Sequence, residues 1–209
     1  MPLPIPLHCP IDSNIIQTGT GFVVRNGDVF WLTTCVHVIT NLKATPVHTS
    51  LLSGKELRVA GSPIKIPVFT SDANRVRISR DDSDGTFWDV ISLRLTPQEA
   101  TVLASFGTYE ASSIADAKVG DHVSIHGFPN LGMTAAPHST LDATVTQVVG
   151  ATMALSKPAA HGYSGSPVVQ GQKLVGIAFG DLGSDPDLTS ALVLLLSLFA
   201  PHHYEVKIF

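Results

Sequence analysis

The stretch that decides the fold is Ala160-His161-Gly162-Tyr163-Ser164-Gly165-Ser166-Pro167. Ser164 sits between two glycines, and a β-rich run follows, Val168-Val169 and then Leu174-Val175-Gly176-Ile177. Glycine lets the backbone turn tightly and approach a substrate without a Cβ clash. Such a turn leaves the N–H groups of Gly162 and Ser164 free to point together, as a developing oxyanion requires. A plain Gly/Ser loop between two strands carries the same letters, so the rest of the chain must decide. A histidine lies in the apolar run Thr33-Thr34-Cys35-Val36-His37-Val38, and an aspartate opens Asp89-Val90-Ile91-Ser92-Leu93, directly after Trp88. The order along the chain is His, Asp, Ser.

That conjunction has a chemical meaning. Serine is a poor nucleophile at neutral pH; it needs a base within hydrogen-bond reach, and the base needs a third group to hold its tautomer. Histidine changes protonation near pH 7. Taken singly, His37 reads as a satisfied core histidine and Asp89 as a strand-start cap. Together, two ionisable residues at the edges of apolar runs and a Gly-flanked serine are costly to bury without a purpose. The acids of Asp81-Asp82-Ser83-Asp84-Gly85 instead read as a solvated turn.

Outward from these motifs the pattern is β throughout. Gly19–Val24 and Val29–Thr34 are β-branched and aromatic runs separated by Arg25-Asn26-Gly27-Asp28, a hairpin signal. The second run is expected to deliver His37 at its end. Further strands are expected at 47–52, 56–60, 64–69, 76–79 and 89–95, then 121–126, 140–149, 153–155, 168–169 and 174–179. Residues 1–14 are proline-rich and read as an irregular surface strap. Thr96-Pro97-Gln98-Glu99 signals a short helix to about Ser105, with threonine as cap and proline in the first turn. Gly107–Val119 reads as the joint between two halves. Ser190–Leu194 could close a barrel and the remainder form a terminal helix. Many short strands at about ten-residue spacing argue for an all-β barrel or sandwich architecture.

Composition removes several function classes. The chain has 209 residues, 44% hydrophobic and 14% charged, which suits a folded globular protein. Its net charge is −4 without a Lys/Arg cluster, so neither nucleic acid nor an anionic membrane is an expected partner. Cys9 and Cys35 make neither a disulfide framework nor a metal site, and the nine histidines are scattered, so no metal or cofactor is expected. No Lys or Arg precedes Arg25, and the apolar stretch Ala191–Phe199 is short for a membrane span. The expectation is a cytoplasmic protein.

On these residues the chain resembles the chymotrypsin-like (trypsin-fold) serine peptidases, closest in style to the short bacterial, glutamyl-endopeptidase and HtrA-like members. The motifs that carry the resemblance are Gly19-Thr20-Gly21-Phe22-Val23-Val24, Leu32-Thr33-Thr34-Cys35-Val36-His37-Val38, Asp89-Val90-Ile91-Ser92-Leu93, Gly127-Phe128-Pro129, Gly162–Pro167 and Val175-Gly176-Ile177-Ala178, in the family's order. The resemblance implies two six-stranded antiparallel Greek-key barrels, residues 1–105 and 106–209, joined by a short linker helix. His37 and Asp89 would come from the first, Ser164 from the second. The implied activity is endopeptidase chemistry on protein or peptide substrates. Gly162 and Ser164 would form the oxyanion hole; Pro158, Ala159, Ala160 and His161 one pocket wall; Ala178, Phe179 and Gly180 the other. Those walls suit a modest hydrophobic side chain, unless Asp181 reaches in and attracts Arg or Lys.

The chain also departs from the pattern. Val38 follows the histidine where secreted vertebrate members carry a cysteine, and Tyr163 precedes the serine where trypsin has an aspartate. Without that aspartate a new N-terminal ammonium has no partner, so the oxyanion loop is expected to form without N-terminal cleavage. Two other readings stay open. One is a peptidase-like fold kept as a binding module without catalysis. The other is an α/β-hydrolase order, Ser164, then Asp181, Asp185 or Asp187, then His202 or His203, which requires a helix after the serine.

Overall fold

The computed structural model describes residues 1–41, 49–71, 75–80, 87–131, 137–181 and 191–195, with 49–50, 79–80, 87, 181 and 191–195 described by backbone alone. The first sheet contains β1 (Ile5–Pro10), β2 (Ile16–Asn26), β3 (Val29–Thr34), β4 (Glu56–Val59), β5 (Lys65–Pro67), β6 (Val76–Arg80), β7 (Phe87–Arg94) and the short β8 (Tyr109–Glu110). Its order is β5-β4-β1-β2-β3-β7-β6, antiparallel throughout, with β8 added in parallel on β2. The second sheet is a closed six-stranded barrel. It runs β10 (Ser139–Val149), β11 (Thr152–Leu155), β14 (Ala191–Leu195), β13 (Lys173–Asp181), β12 (Pro167–Gln170) and β9 (His122–Gly127).

The local causes are visible in the chain. Asn26-Gly27 turns β2 into β3, with Gly27 at φ +60. Thr96 caps α3 (Pro97–Leu103) in a complete capping box, its side chain accepting from the Glu99 N–H while Glu99 accepts from the Thr96 N–H. A single 3-10 turn, Ala104–Phe106, follows that helix.

Four expectations are corrected. Residues 5–10 are not a strap but a strand paired with β2 and β4, and Ile5, Leu7 and Cys9 are fully buried. The prolines misled because Pro6 and Pro10 sit in a strand whose apolar side chains still alternate into the core. Thr49–Leu52 is a one-turn helix, α2, rather than a strand; residues 47–48 lie outside the described residues. His37 is not at a strand end: β3 stops at Thr34 and His37 belongs to α1 (Val36–Thr40). The joint 107–119 contributes β8, which joins the seven strands β1–β7 to give the first sheet eight strands rather than six. The expected terminal helix and the acidic loop 81–85 lie outside the described residues.

Each sheet curls around its own apolar core. The first core is built on Phe22, Leu32, Leu57, Ile78 and Leu93, and it also takes in Val169, Leu174 and Ile177 from the second sheet. The second gathers Val123, Ile125, Val145, Leu155, Tyr163 and Val175. A fully buried cation joins the outer strands of the first sheet. Arg75, directly before β6, donates to the Pro67 carbonyl on β5 and to the Arg94 carbonyl on β7, and forms a two-point pair with Glu99 of α3 at 2.6 and 2.9 Å. Among the described residues no helix is long and apolar enough to cross a membrane.

Candidate active site

His37 is held from three directions. Thr34 ends β3 with its hydroxyl donating to the Thr20 carbonyl at 2.7 Å, and the chain then enters α1 from an extended Cys35. Val36, Val38 and Ile39 bury the helix against the first core, which fixes the face on which His37 stands. Asn41 ends the helix in the left-handed region, φ 61, returning its N–H to the His37 carbonyl at 2.8 Å. Asp89 then takes both ends of the residue: Oδ1 accepts the His37 backbone N–H at 2.9 Å, and Oδ2 meets ring Nδ1. The two side chains are only 14% and 12% exposed. A carboxylate bound to Nδ1 leaves Nε2 as the nitrogen for proton transfer.

Behind this pair lies the Cys35 thiol, fully buried and donating to the Ala178 carbonyl at 3.4 Å. Burial, reinforced by the Asp89 charge, pushes its pKa well above the ordinary thiol value. Cys35, His37 and Asp89 carry the one set of three potential metal donors among the described residues, mutually within 4.8 Å. Those atoms already serve the His37–Asp89 hydrogen bond and a neutral thiol, so a metal would have to displace both protons.

The serine comes from the loop before β12. Tyr163 N–H donates to the Ala160 carbonyl and Ser166 N–H to the Tyr163 carbonyl, which winds the loop tightly around Ser164. Two glycines are obligatory here. Gly162 has φ +101, and a Cβ on it would lie 2.3 Å from the Phe128 carbonyl oxygen; Gly165 has φ +84, and its Cβ would lie 2.0 Å from that of Thr20. The loop is pinned to both sheets: Thr20 N–H donates to the Ser164 carbonyl, Gly165 N–H to Ala178 and Asn130 N–H to His161. Thr20 Oγ1 also donates to the Gly162 carbonyl at 2.9 Å. Among the described residues neither the Gly162 N–H nor the Ser164 N–H has a partner.

His37 and Ser164 line one cleft of about 450 Å³. Ala159, Ala160 and His161 line it from one wall and Ala178, Phe179 and Gly180 from the other, whereas Pro158 does not reach it. Sequence reasoning missed Gln17 and Asn41, which also line the cleft and hydrogen-bond to each other through their amides, Gln17 Nε2 donating to Asn41 Oδ1. Asn41 was findable as a left-handed helix stop four residues after His37; Gln17 left no signal. Asp181 ends β13 and its backbone pairs with Ala191. Asp185, Asp187, His202 and His203 lie outside the described residues. The strand β12, not a helix, follows Ser164, which removes the α/β-hydrolase reading. Among the described residues the Ser164 hydroxyl makes no hydrogen bond; in unliganded sites such bonds are often long and tighten with substrate.

Comparison with known proteins agrees with this architecture. No curated protein matches the sequence. Solved structures of similar fold include the scabies mite inactivated protease paralogue S-I1, with TM-score 0.63, 16% identity, and coverage of 96% of this chain and 91% of that one. The active form of the Rv3671c protease from M. tuberculosis aligns with TM-score 0.59 and 16% identity over 100% of this chain and 82% of that one. The MamO protease domain from Magnetospirillum magneticum, apo form, gives 0.58 and 14% over 96% of each chain. At such identities the likeness is one of fold. The model of the trypsin-like peptidase domain matches residues 19–177, and the chain belongs to that family.

Proposed function

We propose that the protein is a serine endopeptidase acting on protein or peptide substrates through an acyl-enzyme. The observation that carries the reading is the His37–Asp89 pair at the edge of the cleft that Ser164 lines. Ser164 Oγ attacks the peptide carbonyl carbon and its proton passes to His37 Nε2. The carbonyl oxygen, now an anion, is taken by the two unpartnered N–H groups of Gly162 and Ser164. The C–N bond breaks as His37 returns the proton to the departing amine, leaving an ester on Ser164. Water repeats the sequence, giving its proton to His37, and the ester C–O bond breaks to restore the serine. Asp89 holds the ring and supports its positive charge; no cofactor takes part.

The test is labelling by a fluorophosphonate probe together with peptide turnover. Wild-type protein is expected to label on Ser164, and Ser164→Ala to lose both labelling and several orders of magnitude in turnover. Peptide binding without labelling or turnover would instead establish the non-catalytic binding module.

A further inference from the structure

The cleft divides by sheet. Everything that the first sheet and its connections contribute to it is polar: His37, with Gln17 from β2 and Asn41 at the end of α1. The second barrel contributes Ser164, the small apolar walls Ala159, Ala160 and Ala178, the aromatic Phe179 and Tyr163, and His161. Among the described residues no Asp, Glu, Lys or Arg lines the cleft.

We propose that Gln17 and Asn41 form a subsite for the leaving-group side of the substrate, selecting a neutral side chain that both donates and accepts hydrogen bonds. This rests on the catalytic reading above. In that chemistry the acyl half stays on Ser164 while the amine half collects its proton from His37. The departing residues therefore pass over the rim around His37, where the two amides stand. The pair is already joined through Gln17 Nε2 and Asn41 Oδ1. That leaves Gln17 Oε1 as an acceptor and Asn41 Nδ2 as a donor, with no charge to recruit an ionic partner. Both amides are positioned by backbone rather than by chance. Gln17 is in register with Cys9 of β1, three residues from the Thr20 that binds Ser164, and Asn41 is fixed by its N–H to the His37 carbonyl. A neutral hydrogen-bonding side chain such as Asn, Gln, Ser or Thr satisfies both free atoms. An aliphatic one makes neither bond, and that difference is the source of discrimination.

The experiment reads the amine side alone. One ester substrate acylates Ser164, and the acyl-enzyme is partitioned between water and a panel of amino-acid amides carrying Ser, Asn, Leu, Glu or Lys side chains. Wild type is expected to favour Ser and Asn amides over Leu, Glu and Lys by roughly 3- to 10-fold, the worth of one or two net hydrogen bonds. Gln17→Ala and Asn41→Gly, the latter keeping the left-handed backbone, are expected to flatten that preference among the amides. Gln17→Glu is expected to turn it toward the Lys amide. If acyl-enzyme forms but partitioning ignores the side chain, or the variants change selectivity on the acyl side instead, the subsite is refuted. If wild type forms no acyl-enzyme, the catalytic reading is refuted and the subsite with it.

Discussion

The backbone N–H of Thr20, on β2 of the first sheet, donates to the carbonyl of Ser164 at 2.8 Å, so the residue proposed as nucleophile is hydrogen-bonded to the sheet that carries its proposed base. Thr20 also accepts from Thr34 Oγ1 and donates through its own hydroxyl to Gly162. One threonine thus links the strand leading to His37 with the loop of Ser164. The relative position of the two groups depends on this seam, because His37 follows a strand of the first sheet and Ser164 lies in the loop before β12 of the second.

Gly165 has no room at that seam. A Cβ would lie 2.0 Å from the Thr20 carbonyl oxygen and 2.5 Å from Thr34 Oγ1, at φ +84. Gly165→Ala is expected to destabilise by roughly 4 kcal/mol or more and to abolish turnover. Gly171→Ala, at φ +62 with nothing within 4 Å, is expected to cost only ~1–2 kcal/mol. Thermal unfolding of the two variants side by side checks the difference.

Asp89 grips His37 at both the ring and the backbone. Asp89→Asn keeps the shape but favours the wrong tautomer, and a loss of about 10⁴-fold in kcat is expected near neutral pH. Asp84→Asn, from the acidic loop, is expected to leave turnover unchanged. The reverse outcome, measured by steady-state kinetics on one peptide, moves the site into that loop.

Burial pushes the Glu99 carboxyl up, but hydrogen bonds from Arg75 and from the Thr96 N–H outweigh it and hold the pKa below the usual carboxylate value. A folded-state pKa below the unfolded one gives stability that is present above the ordinary glutamate range and lost as pH falls through the folded value. Glu99→Gln leaves Arg75 buried without its counter-charge and is expected to cost roughly 3–5 kcal/mol at neutral pH. The gap between wild type and variant should narrow as the solution is acidified. Urea unfolding at several pH values reads this directly; a pH-independent gap would refute the ion-pair account.

The thiols of Cys9 and Cys35 are both free and buried, and burial raises the pKa of each, most strongly for Cys35. Neither is expected to react with a maleimide or disulfide reagent in the native protein at neutral pH, and both should react on unfolding. Rapid labelling of native protein at Cys35 would contradict its packing against Ala178.

Removing residues 1–12 is expected to unfold the protein rather than to activate it. The deletion takes away β1, which pairs with β2 and β4, and the fully buried side chains of Ile5, Leu7 and Cys9. Burial of the two aliphatic side chains alone is worth roughly 1.5–3 kcal/mol each, a large share of a domain's stability of about 5–15 kcal/mol. Circular dichroism and peptide turnover of the truncated chain test this; a folded, more active product would show the segment to be inhibitory.

The strand-rich architecture, the hairpin at Asn26-Gly27, the capped helix at Thr96, and the chemically unusual settings of His37, Asp89 and Ser164 are all legible in the chain. Those features are local: side-chain alternation, turn chemistry, capping, and polar residues set into apolar runs all act within a few positions. Tertiary structure decided what needed distant partners. Residues 5–10 became a strand because β2 and β4 supply its hydrogen bonds, although the prolines argue otherwise locally. His37 moved onto a five-residue helix too short to stand without the core beneath it. Arg75, an ordinary basic residue in the chain, became the buried link between β5, β7 and α3. Gln17 and Asn41 met across 24 positions, and no spacing rule connects an amide at the start of β2 to a helix cap. Their meeting at the cleft follows from the path of β2 past the serine loop, fixed where Thr20 binds Ser164.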